Sequence, residues 1–296
     1  MGLTDRLYQK KWGVFNHYLP ASPDLAETIG TDEIARTLHD IGAGYYFITM
    51  MQLRAVLNAP NETFDSITGY RPGEACARRD LILDLYDSLH KYDIDLYVYY
   101  TGDGPMKDER AGAAFGFTGG GVTRPFVEKW AGVLEEYAVR YGDKVCGWWI
   151  DGCYKEHGGY RYDDGLLRLY YDAVKKGNPN AVVAFNDGVK KRIAREDGLS
   201  DYCAGEQVDF TAIPRERFAD GAQWHVLAPL GLSPDPKNPW DAWCKRGVKR
   251  DSAYLRNYID EVNRHGGVVT IDIWMDWTGG THFDPAQIEA LKGMGY

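Results

Sequence analysis

Two carboxylates stand where strand-like runs give way to loops. Asp151 closes Trp148-Trp149-Ile150-Asp151-Gly152, and Glu206 lies in Ala204-Gly205-Glu206-Gln207. A pair of carboxyl groups flanking a glycosidic bond can divide the chemistry, one as nucleophile or base and the other as acid. Side chains alternate along a strand, so Trp149 and Asp151 share one side while Trp148 and Ile150 take the other. Gly152 lets the chain turn away at once. A plainer reading is open for each: Asp151 as a turn or helix cap, Glu206 as a solvated loop carboxylate. Other strand ends carry Asn16-His17, Gln52, Tyr99-Tyr100-Thr101, Asn186-Asp187, Trp224-His225 and Asp272, with Trp274 and Asp276 after it. Amides, carboxylates and flat rings together suit a carbohydrate, whose C–H faces stack on Tyr and Trp. The expected substrate-binding set is His17, Gln52, Tyr99, Tyr100, Trp149, Asn186, Trp224 and Trp274.

The elements that must position these residues recur as an apolar run followed by an amphipathic one. Strands are predicted at 12–17, 45–51, 94–100, 145–151, 181–186, 223–228 and 267–274, with a short sixth strand and a short helix within 190–202. Helices are predicted at 32–41, 74–91, 122–141, 162–176, 252–264 and 285–294. The stretch 101–121, ending Phe117-Thr118-Gly119-Gly120-Gly121, reads as an irregular insert and a mobile lid. Eight such units predict an α/β fold, a single (β/α)8 TIM-type barrel filling 1–296 with no separate C-terminal β-sandwich. A doubly wound open sheet would prefer a glycine-rich turn after the first strand, where Asn16-His17-Tyr18-Leu19-Pro20 stands instead.

Composition removes several partners. The chain has 34 basic and 43 acidic residues and a net charge of -9, and its longest basic clusters are Lys190-Lys191-Arg192 and Lys245-Arg246. Nucleic acid is therefore not expected. No apolar run approaches the ~18 residues of a membrane span. The seven His show no HExxH and no metal-ligand spacing, so neither metal nor cofactor is expected. Five scattered cysteines without a CxxC read as reduced thiols of a cytoplasmic protein. No heptad pattern suggests a coiled coil, and a homo-oligomer paired through outer helices is compatible with a barrel. Trp and Tyr are abundant, at 9 and 21, but Tyr137, Tyr170 and Tyr258 fall in helix-like runs and read as packing.

The order of these motifs resembles glycoside hydrolase family 29, the α-L-fucosidases. The resemblance spans the whole chain. It is carried by Val14-Phe15-Asn16-His17-Tyr18, Tyr99-Tyr100-Thr101, Trp149-Ile150-Asp151-Gly152, Asn186-Asp187, Ala204-Gly205-Glu206-Gln207 and Gly266-Gly267-Val268-Val269-Thr270-Ile271-Asp272-Ile273. It implies a retaining hydrolase that releases a terminal sugar, with Asp151 as nucleophile and Glu206 as acid/base. Two departures stand out. The family's paired His after the second strand is replaced by Thr49-Met50-Met51-Gln52-Leu53, and the Arg of its Asn-Asp-Arg element by Gly188. Different hydroxyl donors imply a different sugar or linkage. The alternatives are a glycosidase for a sugar other than fucose, a sugar-binding barrel without catalysis, and an isomerase or lyase of the same architecture.

Overall fold

In the computed structural model, which describes residues 2–54, 56–117, 121–156 and 161–296, strands and helices alternate along the chain. The strands are β1 (Trp12–Asn16), β2 (Tyr45–Thr49), β3 (Asp95–Thr101), β4 (Val145–Asp151), β5 (Val182–Phe185), β6 (Phe218–Ala219), β7 (Ala222–Gln223), β8 (His225–Pro229) and β9 (Val268–Asp272). β6 and β7 form a small antiparallel hairpin. The other seven make one parallel sheet in the order β5-β4-β3-β2-β1-β9-β8. Parallel neighbours need crossovers, and helices supply them. The register pairs Thr49 with Tyr99, Thr101 with Asp151 and Phe15 with Asp272, so the C-terminal strand ends meet at one rim.

Every strand of this sheet is buried on both faces, as its unbroken apolar sequence requires. Alternation sorts the side chains. Phe15, Phe47, Tyr99, Trp149, Ala184 and Leu227 turn to the concave interior and cluster there. Val14, Tyr46, Val98, Tyr100, Trp148, Ile150 and Ile271 turn outward to the helices. The longest helix, α6 (Arg124–Tyr141), shows how these fit. Thr123 caps it by accepting from the Phe126 N–H, and Phe126, Trp130, Val133, Tyr137 and Tyr141 recur on its buried stripe. At the opposite end of the sheet from the rim, α1 (Asp5–Lys10) inserts Leu7 into the interior cluster. Arg6 fastens it with two hydrogen bonds to Asp95, of 2.8 and 2.7 Å.

The sheet curls as a TIM-like barrel does, but it is not a closed ring of eight strands. The expected sixth strand and the short helix within 190–202 are absent. Residues 200–207 span the gap between β5 and β8, with two pairs of backbone bonds on the β8 side, around Gln223 and around Leu227. Asp201 N–H donates to Val183 O and Cys203 N–H to Gln223 O. Side chains replace ladder bonds toward β5: Val183 N–H donates to Asp201 Oδ2 at 3.0 Å and Phe185 N–H to Ser200 Oγ at 3.1 Å. Isolated bridges join Tyr202 to Gln223 and Glu206 to Leu227. Regular extension fails at Gly205, which has φ 64° and whose missing Cβ would fall 1.9 Å from His225 O. A left-handed residue cannot continue a strand.

Other elements differ from expectation as well: α1 and the β6–β7 hairpin were not anticipated. The helix expected at 74–91 is α4 (Leu81–Leu89), started by the Asp80 side chain on Leu83 N–H. The residues before it make a bridge at Cys76 to Leu57 instead. The helices α3 (Glu62–Thr68) and α5 (Glu109–Phe115) were not expected, and both begin at an Asx cap, Asn61 and Asp108. α5 lies inside the stretch read as irregular, where short polar caps outweigh a glycine-rich composition. Thr118, Gly119 and Gly120 of the expected lid lie outside the described residues.

Candidate active site

Asp151 is the last residue of β4 and points the same way as Trp149, toward the interior. Two donors converge on its carboxylate: Tyr99 Oη to Oδ2 at 2.6 Å and Asn186 Nδ2 to Oδ1 at 2.7 Å. The turn that follows needs a glycine, since Gly152 has φ 68° and a Cβ there would lie 2.8 Å from the Asp103 carboxylate. Tyr99 cannot swing away, because its ring is stacked between Phe15 at 5.7 Å and Trp149 at 5.5 Å. Trp149 is itself tied to Ala204 O through Nε1 at 3.0 Å.

Asn186 follows β5, with its backbone N–H on Ile150 O and its carbonyl accepting from Cys153 N–H. Its side-chain oxygen accepts from Gly188 N–H at 3.2 Å. That assigns the amide orientation and turns Nδ2 to the carboxylates. From there Nδ2 donates to Glu206 Oε2 at 2.7 Å as well. Two 2.7 Å bonds to one nitrogen hold Asp151 Oδ1 and Glu206 Oε2 within about 5.4 Å of each other, against ~5–5.5 Å between the carboxyl groups of retaining glycosidases. Burial and the Asp151 charge push the Glu206 carboxyl up to about 7, against the opposing pull of Asn186 and His17. A like charge and lost solvation both favour a protonated carboxyl.

His17 follows β1 and donates from Nδ1 to Asp272 Oδ1, 2.9 Å away at the end of β9. Its ring packs on Phe15 at 4.3 Å and meets Tyr99 and Trp243 edge-on at 5.7 Å each. Burial opposes its charge, but Cys244 and Asp272 outweigh that and hold the imidazole well above its ordinary range. Trp277 Nε1 donates to His17 O at 2.5 Å. A groove of about 640 Å³ opens beside Glu206, with Tyr154, Lys155, Lys190 and Trp240 in its walls.

The structure brings Asp151, Glu206, Asn186, Tyr99 and His17 together, with Trp149 beneath them. Trp149 and Tyr99 are buried rather than open stacking surfaces. Tyr100 is not there: alternation sends it outward, where its hydroxyl donates to Trp130 O. Trp224 is not there either. It precedes β8 at the end away from the rim and belongs to the outer core, because the strand begins at His225. His225 is a core residue bonded to Cys203 O and Thr270 Oγ1, and burial presses it down to about 4. Trp274 lies beyond β9, half-buried, with Arg246 stacked 3.9 Å over its ring. Gln52 lies half-buried after β2, and among the described residues no hydrogen bond joins it to the carboxylates. Met50 and Met51 beside it are buried.

Residues not anticipated as part of the site are Trp240, Trp243, Cys244 and Trp277. They sit on loops after β8 and β9, where no periodicity marks direction. Asp272 was recognisable as a strand-end acid but not as the partner of His17. Among the described residues, no group of three or more His, Cys, Asp or Glu is arranged to hold a metal. Among them also, no helix is long and apolar enough to cross a membrane.

No protein-family model and no curated protein sequence matches the chain. Solved structures do. An endo-fucoidan hydrolase from glycoside hydrolase family 107 is similar over 97% of this chain, with TM-score 0.73 and 16% identity. A bacterial fucosidase solved with an inhibitor is similar over the whole chain and 72% of its own length, with TM-score 0.66 and 14% identity. An α-L-fucosidase in complex with Fucα(1,6)GlcNAc is similar over 99% of this chain and 97% of its own, with TM-score 0.64 and 14% identity. The chain spans about half the length of the first of these, 53%. At such identities the likeness is one of fold.

Proposed function

We propose that the protein is a retaining glycoside hydrolase that removes a terminal sugar, with Asp151 as nucleophile and Glu206 as acid/base. The observation that carries this reading is the pair of carboxylates held by one amide nitrogen, Asn186 Nδ2, at 2.7 Å each. Asp151 sits on a rigid strand with Tyr99 and Asn186 holding its two oxygens in place. It attacks the anomeric carbon while Glu206 gives its proton to the leaving oxygen. The C–O bond breaks and a glycosyl ester of Asp151 forms. Glu206, now a carboxylate, takes a proton from water, whose oxygen attacks the anomeric carbon and frees Asp151. The division of labour fits the environments, since a raised carboxyl donates well near neutral pH.

The shared fold of fucosidases and fucoidan hydrolases makes α-L-fucosides the first substrates to try. The buried Met50 and Met51 after β2 offer no hydroxyl donors there, which favours a sugar or linkage other than that of the family 29 enzymes. The test is turnover of a panel of aryl glycosides by wild type, Asp151→Asn and Glu206→Gln, with NMR of the first-formed anomer. Retention with both variants impaired is expected. Equal turnover by all three proteins, or an inverted product, refutes the assignment.

A further inference from the structure

Of the nine Trp, all among the described residues, eight are buried or half-buried and Trp240 is 51% exposed. An exposed ring alone is ordinary on a protein surface. The place of this one is not, because Trp240 lines the groove of about 640 Å³ that runs up to Glu206. That volume lies within the ~300–1,000 Å³ of small-ligand sites.

The loop after β8 is tied so as to hold the ring out. Pro239 opens a single 3-10 turn, Pro239–Ala242, and Ala242 is buried at its far end. Ser233 Oγ lies 2.6 and 2.7 Å from Asp235 O and Asn238 O, and Asn238 O also accepts from Asp241 N–H at 3.1 Å. Three residues beyond Trp240, the Trp243 ring meets His17 edge-on at 5.7 Å and packs against the interior cluster. Trp243 Nε1 is buried and meets no acceptor among the described residues. One loop thus carries a ring beside His17 and a second ring in the groove outside.

The proposed hydrolysis says what that groove must hold. The acid gives its proton to the glycosidic oxygen, which departs with the second half of the substrate. That half therefore lies on the Glu206 side, where the groove opens. The polar groups of its wall already have partners. Lys155 Nζ donates to Glu196 O, Lys155 N–H to Asp187 Oδ1 at 2.9 Å, and Lys190 Nζ to Asp187 Oδ2 at 2.9 Å. The charges balance as well: Lys155 and Lys190 stand with Asp187 and Glu156, and Glu206 enters the reaction as a neutral acid. Such a wall does not favour an anionic occupant. A flat ring beside fixed polar groups suits the C–H face and hydroxyls of a neutral pyranose.

We propose that this groove is the leaving-group site, that its occupant is a neutral sugar residue, and that Trp240 selects it by stacking. The substrate is then a glycan of two or more sugars rather than a glycoside of a small aglycone. The inference rests on the assignment of Glu206 as the acid, and Trp240 acts on specificity without touching the reacting atoms.

The test reads binding, separately from turnover. Full-length Asp151→Asn, which keeps its ligand intact, is applied to an array of neutral di- and oligosaccharides, the matching monosaccharides, and sulfated and uronate-containing glycans. Retention of neutral glycans of two or more sugars above the other classes is expected. The best-retained glycan is then titrated calorimetrically. Adding Trp240→Ala should weaken Kd about tenfold, while Trp240→Phe, which keeps a ring, should stay within about threefold. The proposal is overturned if monosaccharides bind as well, if anionic glycans are preferred, if no neutral glycan is retained, or if Trp240→Ala binds within about twofold of its parent. Failure of these arms while Asp151 and Glu206 prove essential for aryl glycoside turnover removes the groove assignment alone. Binding that depends on Trp240 without any turnover by the wild type removes the hydrolase reading, and with it the role of the groove as a leaving-group site.

Discussion

Tyr99 Oη lies 2.6 Å from Asp151 Oδ2, and the ring that carries it is stacked between Phe15 and Trp149. The hydroxyl is therefore presented by a part that cannot adjust. Tyr99→Phe removes one donor and leaves the stack. We expect kcat to fall about 10- to 100-fold, near 1.4–2.7 kcal/mol. Unfolding free energy should change by no more than about 1.5 kcal/mol. Steady-state kinetics and a urea titration read the two separately. An unchanged kcat would show that Asp151 does not depend on this bond.

Glu206 gives a prediction in pH. Its carboxyl is pushed from an ordinary 4.5 to about 7, so kcat/KM should decline above pH ~7 as the acid form is lost. Glu206→Gln should slow unactivated glycosides about 10²- to 10⁴-fold and spare the first step with activated aryl leaving groups. Stability carries the same sign. A group whose folded pKa is raised stabilises fully below its unfolded value and loses that contribution as pH climbs through the folded one. The window here runs from 4.5 to about 7. The Tm of Glu206→Gln relative to wild type should therefore rise between pH 4.5 and 8 in thermal melts.

The Asp151 charge acts on the Glu206 carboxyl, and its effect can be separated from that of burial. The Asp151 charge is the second cause of the Glu206 shift after burial. In Asp151→Asn that cause disappears while burial stays, so the Glu206 midpoint should move down without reaching 4.5. Carboxyl-carbon NMR follows it directly. A midpoint that does not move would mean that burial alone sets it.

Gly205 is the prediction about stability. Gly205→Ala must keep φ 64° with a Cβ 1.9 Å from His225 O, or else release the segment that carries Glu206. We expect a loss of roughly 2–4 kcal/mol in denaturant unfolding and a larger loss of activity. An alanine tolerated within 0.5 kcal/mol would mean that the segment re-forms at little cost.

Much of this site is legible in the chain, and the limits have physical causes. Asp151 with Trp149 beneath it follows from strand alternation, and Asn186 and Glu206 follow from their position after the next two apolar runs. The same alternation forbids Tyr99 and Tyr100 from facing one way, so adjacent aromatics at a strand end contribute one ring to the interior. Trp224 stands at the opening of its apolar run 223–228 rather than at its close, so it belongs to the end of the sheet away from the rim. The first residues of a strand do not meet at the rim with the last. The sixth strand failed because side chains of Asp201 and Ser200 do the work of a ladder, which an apolar pattern does not reveal. Cys244 and Trp243 depend on a loop fold fixed by distant Gln287, and no local signal announces that.

The gap between β5 and β8 has a mechanical meaning for the proposed reaction. Asp151 is mounted on a strand paired along both edges, whereas the backbone around Glu206 is bonded on one edge alone, Leu227 N–H to Gly205 O and Gln207 N–H to Leu227 O. Stiffness is thus unequal across the pair. The partner that bonds to carbon is kept still. The partner that must hand a proton to one oxygen and then collect one from another has compliance to follow its two targets.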